Sequence, residues 1–436
     1  MSFRSFLEKL ETQGQLTRIK APASKKLEAS GALKALDGKP VVFESIKESQ
    51  FKVAGNVFSS KKLAAAYFGK KPADFIVMLD RAIEHPSAPK TVSIAPCQEV
   101  VETGVDLDKL PILFHCEKDG GPYVSSGIVI AKDRELGQNA SYHRLMQFSK
   151  NQFAIRILPR HLAEFLKRNG GELDVAVVVG VGANVALAGA CSVELGKNEL
   201  EIANALEPLE VVKAKTVDVM VPADAEFVLE GRITKEKHAE GPFVDLTETY
   251  DIVRQQNVLE IKAITHRKDA IWQALLPGAL EHKLLMGAPR EPTIFREVSK
   301  VAECRDAYVN PGGCSWLHAI VQIRKKKDDD GRKAIEAAFA GHHSLKHVFV
   351  VDEDINIYDP LEMEWAMATR FQADRQLVLK PHDKGSSLDP SADPETRETC
   401  KAGFDLTKPL VAKGKNYEKA VFPKVDLKKL TGLRDE

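Results

Sequence analysis

Between residues 101 and 285 the chain repeats one signature. Runs of β-type residues at 127–131, 141–148, 174–181, 210–221 and 258–264 are cut apart by Gly, Pro and Asn. Strand-sized runs separated by turn formers must satisfy their backbone groups on one another, so a barrel or sandwich core is expected there. The flanks read differently. Ahead of that region lie a helix at 2–13 stopped by Gly14, strands near 40–44 and 51–54, and a helix near 60–68. Beyond about Pro289, alternation returns: a strand at 317–323, a helix at 332–339, a strand at 347–351, and a helix opening at Asp359-Pro360. That opening is legible because Asp caps a helix and Pro suits its first position. The tail after Lys380, rich in Lys, Pro and Ser, is expected to wrap a surface or a neighbouring subunit. A chain of 436 residues exceeds one comfortable core. The expected fold class is therefore mixed α+β in three domains: 1–100, 101–288 and 289–436, the last α/β with a tail.

Charge and cysteine usage exclude several roles. Lys plus Arg and Asp plus Glu both number 62, so no basic field exists to capture nucleic acid. The opening is amphipathic, with Phe3, Phe6, Leu7 and Leu10 among charges, and lacks the continuous apolar stretch of an export signal. Residues 175–190 form the longest nearly apolar run. It carries Asn184 and three glycines, is too short to span a membrane, and reads as a buried strand followed by a turn. Six scattered cysteines without a CxxC pair suit reduced thiols in the cytoplasm.

Two segments carry chemistry. Glu240-Gly-Pro-Phe-Val-Asp245 follows an expected strand at 226–233, and its Gly-Pro turn can bring two carboxylates towards one cavity. Asn139-Ala-Ser-Tyr-His-Arg144 gathers an amide, hydroxyls, an imidazole and a guanidinium, whose planar fork suits a carboxylate substrate. On a regular strand Asn139 and Arg144 would face opposite ways, so a shared site requires a bend.

These segments resemble the UbiD family of prenylated-flavin-dependent decarboxylases, in which Asn-x-x-x-x-Arg and Glu-Gly-Pro-x-x-Glu/Asp stand in this order. Further similar segments are Phe6-Leu7-Glu8-Lys9-Leu10, Val221-Pro222-Ala223 leading to Glu230-Gly231, His282 before Gly287, Val350 to Asn356, Trp365 to Gln372, and Lys401 to Asp405. The resemblance implies a central split β-barrel that binds prenylated FMN. It implies a Mn²⁺ or Mg²⁺ site of Asn139, His161 and Glu199, with Glu194 and Glu201 as nearby competitors for Glu199. A potassium ion near the flavin phosphate is a family feature. Ser141, Tyr142, His143, Arg144, Arg160 and Lys401 are implied as further cofactor-binding residues.

In the implied chemistry Arg144 orients the substrate carboxylate, Glu240 holds that geometry, and Asp245 returns the proton that replaces CO₂. Partners implied are a small carboxylic acid, a flavin prenyltransferase that supplies the cofactor, and further copies of the chain in a homo-oligomer. The compact length, with Asn198 to Leu206 and Lys384 to Pro390, resembles the subgroup that converts anhydromevalonate phosphate to isopentenyl phosphate in an alternative mevalonate pathway. The alternatives are decarboxylation of an aromatic acid such as a 4-hydroxy-3-polyprenylbenzoate, a flavin carrier or assembly subunit, and a flavin reductase. Three other signals read as structural: Gly180-Val-Gly182 as no dinucleotide turn, His342, His343 and His347 as a polar loop, and the run 324–330 as a charge-balanced turn.

Overall fold

The computed structural model describes residues 1–411 together with 414, 416, 417, 419–423 and 425. The first helix, Phe3–Thr12, is capped by Ser2, whose hydroxyl accepts from the Ser5 N–H at 3.1 Å, and buries the stripe of Phe3, Phe6, Leu7 and Leu10. Ser60 caps Lys61–Tyr67 in the same way. Strands Thr17–Ile19, Val41–Phe43 and Lys52–Gly55 form a sheet completed by Ile271–Ala274, which arrives from much later in the chain. The N-terminal region is thus tied into the centre by backbone pairing.

The central sheet has nine strands. Its order runs Tyr123–Val124, Leu145–Gln147, Gln152–Ile155, Arg254–His266, Phe227–Glu240, Leu173–Val179, Ile128–Asp133 and Gly137–Tyr142, with Val100–Glu102 also paired to Arg254–His266. One connection sets its shape. Gly137–Tyr142 and Leu145–Gln147 lie six strand spacings apart in that order, about 29 Å in a flat sheet. Yet only His143 and Arg144 join them, and that link spans at most about 11 Å. The sheet therefore curls until its two sides nearly meet. Among the described residues no strands pair across the gap, so this is an open, split barrel and not a closed one.

Several runs are finer-grained than their sequence suggests. The run 141–148 is two strands broken at His143-Arg144, and 210–221 is a hairpin of Glu210–Lys213 and Met220–Pro222. The turn expected after the buried strand contains a short helix, Ala183–Ala188, packed in the core. A Cβ on Gly182 would collide with the Tyr67 hydroxyl, so a side chain of the chain itself occupies the place a nucleotide would approach.

The C-terminal sheet runs Glu303–Tyr308, His318–Arg324, His347–Asp352, Glu398–Asp405 and Leu377–Lys384. Helices Glu291–Ser299 and Asp330–Gly341 cover it through Ile294, Val298, Ile335 and Phe339. Asp359 caps Pro360–Arg370 by accepting the Leu361 N–H at 2.9 Å. Where a wrapping tail is expected, the chain instead begins by adding strands 377–384 and 398–405 to this sheet. Residues 412, 413, 415, 418, 424 and 426–436 lie outside the described residues. Among the described residues no helix is long and apolar enough to cross a membrane.

Candidate active site

The two-residue link between the sides of the curled sheet carries the site. Strand pairing ends at Tyr142 and resumes at Leu145, so side-chain alternation does not carry across the break and Arg144 turns into the barrel gap. There its Nε and Nη2 donate to the two oxygens of Glu240 at 2.9 and 3.0 Å. Nη1 donates to Asp245 at 2.7 Å, and Nη2 donates again, to Asp251, at 2.7 Å. Four of the five guanidinium N–H groups are thereby committed. The Phe243 ring lies 4.7 Å from the guanidinium carbon. Burial alone would lower the Arg144 pKa, but Glu240 and then Asp245 and Asp251 hold it above its ordinary value.

The acids are placed by the strand Phe227–Glu240 and the turn that follows it. Gly241 takes φ +108°, a conformation that side-chain-bearing residues rarely adopt, and a Cβ on Gly120 would strike the Gly241 carbonyl. The Gly120 N–H donates to the Pro242 carbonyl at 2.7 Å, and the Asp119 carboxylate accepts from Cys116 and Val244. Beyond the turn, Phe243–Val244 pairs with Tyr250–Asp251, which brings Asp251 beside Asp245. Glu240 is completely buried and receives the Tyr123 hydroxyl at 3.0 Å, whereas Asp245 and Asp251 are each about a fifth exposed. Asp251 also pairs with Arg254 at 2.6 Å. Burial pushes its pKa up, but the Arg254 and Arg144 guanidinium groups win and hold it below its ordinary value. His282 borders this cluster, accepting the Gly278 N–H on Nδ1 at 3.0 Å.

Asn139, His161 and Glu199 meet at the strand Gly137–Tyr142, which precedes the link. His161 opens the helix His161–Arg168 and Glu199 opens Glu199–Leu206, so both first turns face the Asn139 strand. Glu199 Oε1 lies 2.7 Å from the Asn139 amide nitrogen and 3.9 Å from His161 Nδ1, while Oε2 accepts the Ala140 N–H at 2.7 Å. Glu199 is 2% exposed, and among the described residues no Lys or Arg pairs with it. Burial pushes it up to about 7, against the hydrogen bonds that it accepts. Burial also lowers His161, with Arg160 adding to the shift, which leaves a neutral imidazole free to ligate. Glu194 and Glu201, the competing acids, do not enter this group: Glu194 pairs with Lys197, and the Asn139 contacts go to Glu199.

The neighbouring hydrogen bonds fit a cation here. His143 Nδ1 is 2.9 Å from the Arg156 carbonyl and must donate to it, which leaves Nε2 to accept the Ser141 hydroxyl at 3.1 Å. Ser141 Oγ, 3.1 Å from the Asn139 amide oxygen, then has no proton left to donate to it. Turning the amide over would give Ser141 a donor, at the expense of the Asn139 bond to Glu199, and would aim the amide oxygen at Glu199 and His161. An amide oxygen, an imidazole nitrogen and a buried carboxylate without a cationic partner form a donor set suited to Mn²⁺ or Mg²⁺.

The remaining sequence candidates divide. Tyr142 is at the end of the same strand, and burial raises its pKa well above the ordinary phenol value. Arg160 is exposed at the mouth of the His161 helix. Lys401 is not brought into the cation group. Its ammonium donates to the His343 carbonyl at 2.8 Å and pairs with Asp383 at 3.6 Å inside the C-terminal sheet. Tyr123 and Asp251 are site residues that sequence reasoning did not single out. For Tyr123 the signal was the Gly120-Gly-Pro122 turn before it. For Asp251 there was none short of the hairpin register.

With this geometry in view, comparison with known proteins is specific. Residues 7–83, 90–280 and 283–406 match, in turn, the N-terminal, Rift-related and C-terminal domains of 3-octaprenyl-4-hydroxybenzoate carboxy-lyase, the UbiD models. Anhydromevalonate phosphate decarboxylase of Methanosarcina mazei is 42% identical over 430 residues, 97% of this chain and 100% of that protein. The protein of the same name from Methanocaldococcus jannaschii is 41% identical over 92% of this chain and 96% of its own length. The UbiD-class enzyme HmfF from Pelotomaculum thermopropionicum, solved in complex with FMN, superposes with a TM-score of 0.95 at 36% identity, covering 98% of this chain and 100% of that one. An evolved dimeric form of HmfF, solved with prenylated FMN, gives 0.91 at 35% identity, covering 98% and 99%. Matched along nearly its whole length in both sequence and structure, the chain belongs to the UbiD family of carboxy-lyases.

Proposed function

We propose that this chain decarboxylates trans-anhydromevalonate 5-phosphate to isopentenyl phosphate and CO₂ with prenylated FMN. The observation that carries the reading is the guanidinium of Arg144 held in the barrel gap by Glu240, Asp245 and Asp251, on the link that follows the strand bearing Asn139 of the cation-type donor set. The names of the archaeal relatives support the substrate. Asn139, His161 and Glu199 would hold Mn²⁺ or Mg²⁺ at the flavin phosphate, and the bound cofactor supplies an electron sink for the carbanionic charge that departing CO₂ leaves behind. A flavin prenyltransferase would supply that cofactor.

The chain's own residues do the rest. Arg144 binds the substrate carboxylate with its planar fork and fixes which carbon loses it. Glu240, buried and bonded by Tyr123, holds the guanidinium plane in place. Asp245 sits on the partly exposed side of the cluster, where it can take a proton from water and deliver it to the carbon that CO₂ vacates. The test is anaerobic purification from cells that express a flavin prenyltransferase, mass spectrometry of the bound flavin, and assay against the phosphorylated acid and an aromatic acid. Prenylated FMN with isopentenyl phosphate as product is the expected result. Turnover of the aromatic acid alone would replace the substrate, and unmodified flavin reduced by a nicotinamide donor would overturn the reading.

A further inference from the structure

Several of the largely buried arginines among the described residues have carboxylate partners, and Arg290 has none. Arg370 pairs with Asp352 and Asp354, Arg4 with Glu226, and Arg144 with three acids. Arg290, which ends the short helical turn Ala288–Arg290, has no ion-pair partner among the described residues. Its Nη2 donates to the Ser192 hydroxyl at 2.6 Å, its Nε is buried without a hydrogen-bond partner, and its guanidinium lies 5.2 Å from the Trp316 ring. The charged neighbour that bears on it is Arg160, a second cation, next to the candidate ligand His161. Cys191 is also near, but burial pushes that thiol up to about 12, so it is no counter-ion. Cys191 feels both the Glu199 carboxylate and the Arg290 guanidinium, and it adjoins Ser192, to which Arg290 is bonded.

No acid compensates the Arg290 guanidinium, a second cation acts on it, and ring contact does not offset the loss of hydration at its buried Nε. A dianion with several acceptor oxygens would satisfy both. Ser192, which accepts from Nη2, is exposed, so that end of the guanidinium adjoins solvent. We infer that Arg290, with Ser192 and Arg160, is a subsite for a phosphate monoester. The two phosphates available are those of the flavin and of the substrate, and for naming them the inference rests on the proposed function.

The test uses the full chain and binding alone, so it stands whether or not any acid is turned over. Wild type and Arg290→Gln are titrated with FMN and with riboflavin in excess Mn²⁺, following flavin fluorescence. The flavin-loaded proteins are then titrated calorimetrically with inorganic phosphate. Loss of two charge-assisted hydrogen bonds should weaken the phosphate-bearing ligand by about a hundredfold or more. If the flavin phosphate sits here, Arg290→Gln loses the preference for FMN over riboflavin. If the substrate phosphate sits here, FMN is unaffected and inorganic phosphate no longer binds. Arg290→Lys should recover some of either loss. A variant that keeps both, or loses FMN and riboflavin equally, overturns the inference. Ser192→Asp, on the exposed loop, covers the case in which Arg290→Gln does not fold. It gives Arg290 an internal carboxylate and should exclude phosphate, and unchanged phosphate and FMN binding would likewise refute the subsite.

Discussion

Arg144→Met removes the one cation shared by three acids while keeping most of the apolar stem. The cost divides unequally. Glu240 is fully buried, so taking away its partner leaves an uncompensated charge in the protein interior, a loss of about 3–5 kcal/mol. Asp245 and Asp251 reach water, and Asp251 keeps Arg254, so each adds less than about 1 kcal/mol. The expected loss is therefore dominated by one carboxylate. Adding Glu240→Gln should restore most of it, because a neutral amide keeps the Tyr123 hydroxyl as a partner and needs no counter-ion. Urea unfolding of the cofactor-free chain, followed by fluorescence and circular dichroism, measures both variants. A single variant within about 1 kcal/mol of wild type, or a double variant no more stable than the single one, would refute the claim that Arg144 neutralises a buried acid.

Three further outcomes follow from the same geometry. Asp245→Asn should retain flavin and lose most turnover, and a normal rate would remove the proton-donor role. His161→Ala should lose metal, read by elemental analysis, and with it the flavin, while circular dichroism stays unchanged; full retention of both would refute the ligand assignment. Glu199 has a folded pKa of about 7 against 4.5 for an ordinary glutamate, so the metal-free protein should lose up to about 3 kcal/mol of stability as pH rises from about 4.5 to about 7. Mn²⁺ requires the ionised form, so its stabilising effect should grow over that same window. A pH-independent effect of Mn²⁺, or an unchanged profile in Glu199→Gln, would show that this carboxylate does not face the metal.

How much of this was legible in the sequence depended on range. The Asp359 cap and the helices expected at 2–13 and near 60–68 were readable because each signal acts within a few residues. The carboxylate turn at 240–245 was readable for the same reason, since Gly241-Pro242 imposes it locally. The side of the sheet that Arg144 faces was not readable from spacing, because it depends on a strand break whose two halves pair at opposite ends of the sheet order. Asp251 enters by hairpin register, and Tyr123 contacts Glu240 across 117 positions. Lys401 stands in a family-like segment, yet the parallel pairing of its strand with His347–Asp352 commits its ammonium to the His343 carbonyl.

The crowding around Arg144 has a consequence for how a ligand enters. A carboxylate that needs two parallel N–H groups finds only one uncommitted, so docking has to be an exchange in which a resident acid is displaced. Glu240 is sealed in and Asp251 is tethered to Arg254, which leaves Asp245 as the most readily expelled. Once parted from the guanidinium, that carboxyl is free to turn towards the bound substrate, so the arrival of the substrate and the release of the group that protonates its product become a single event.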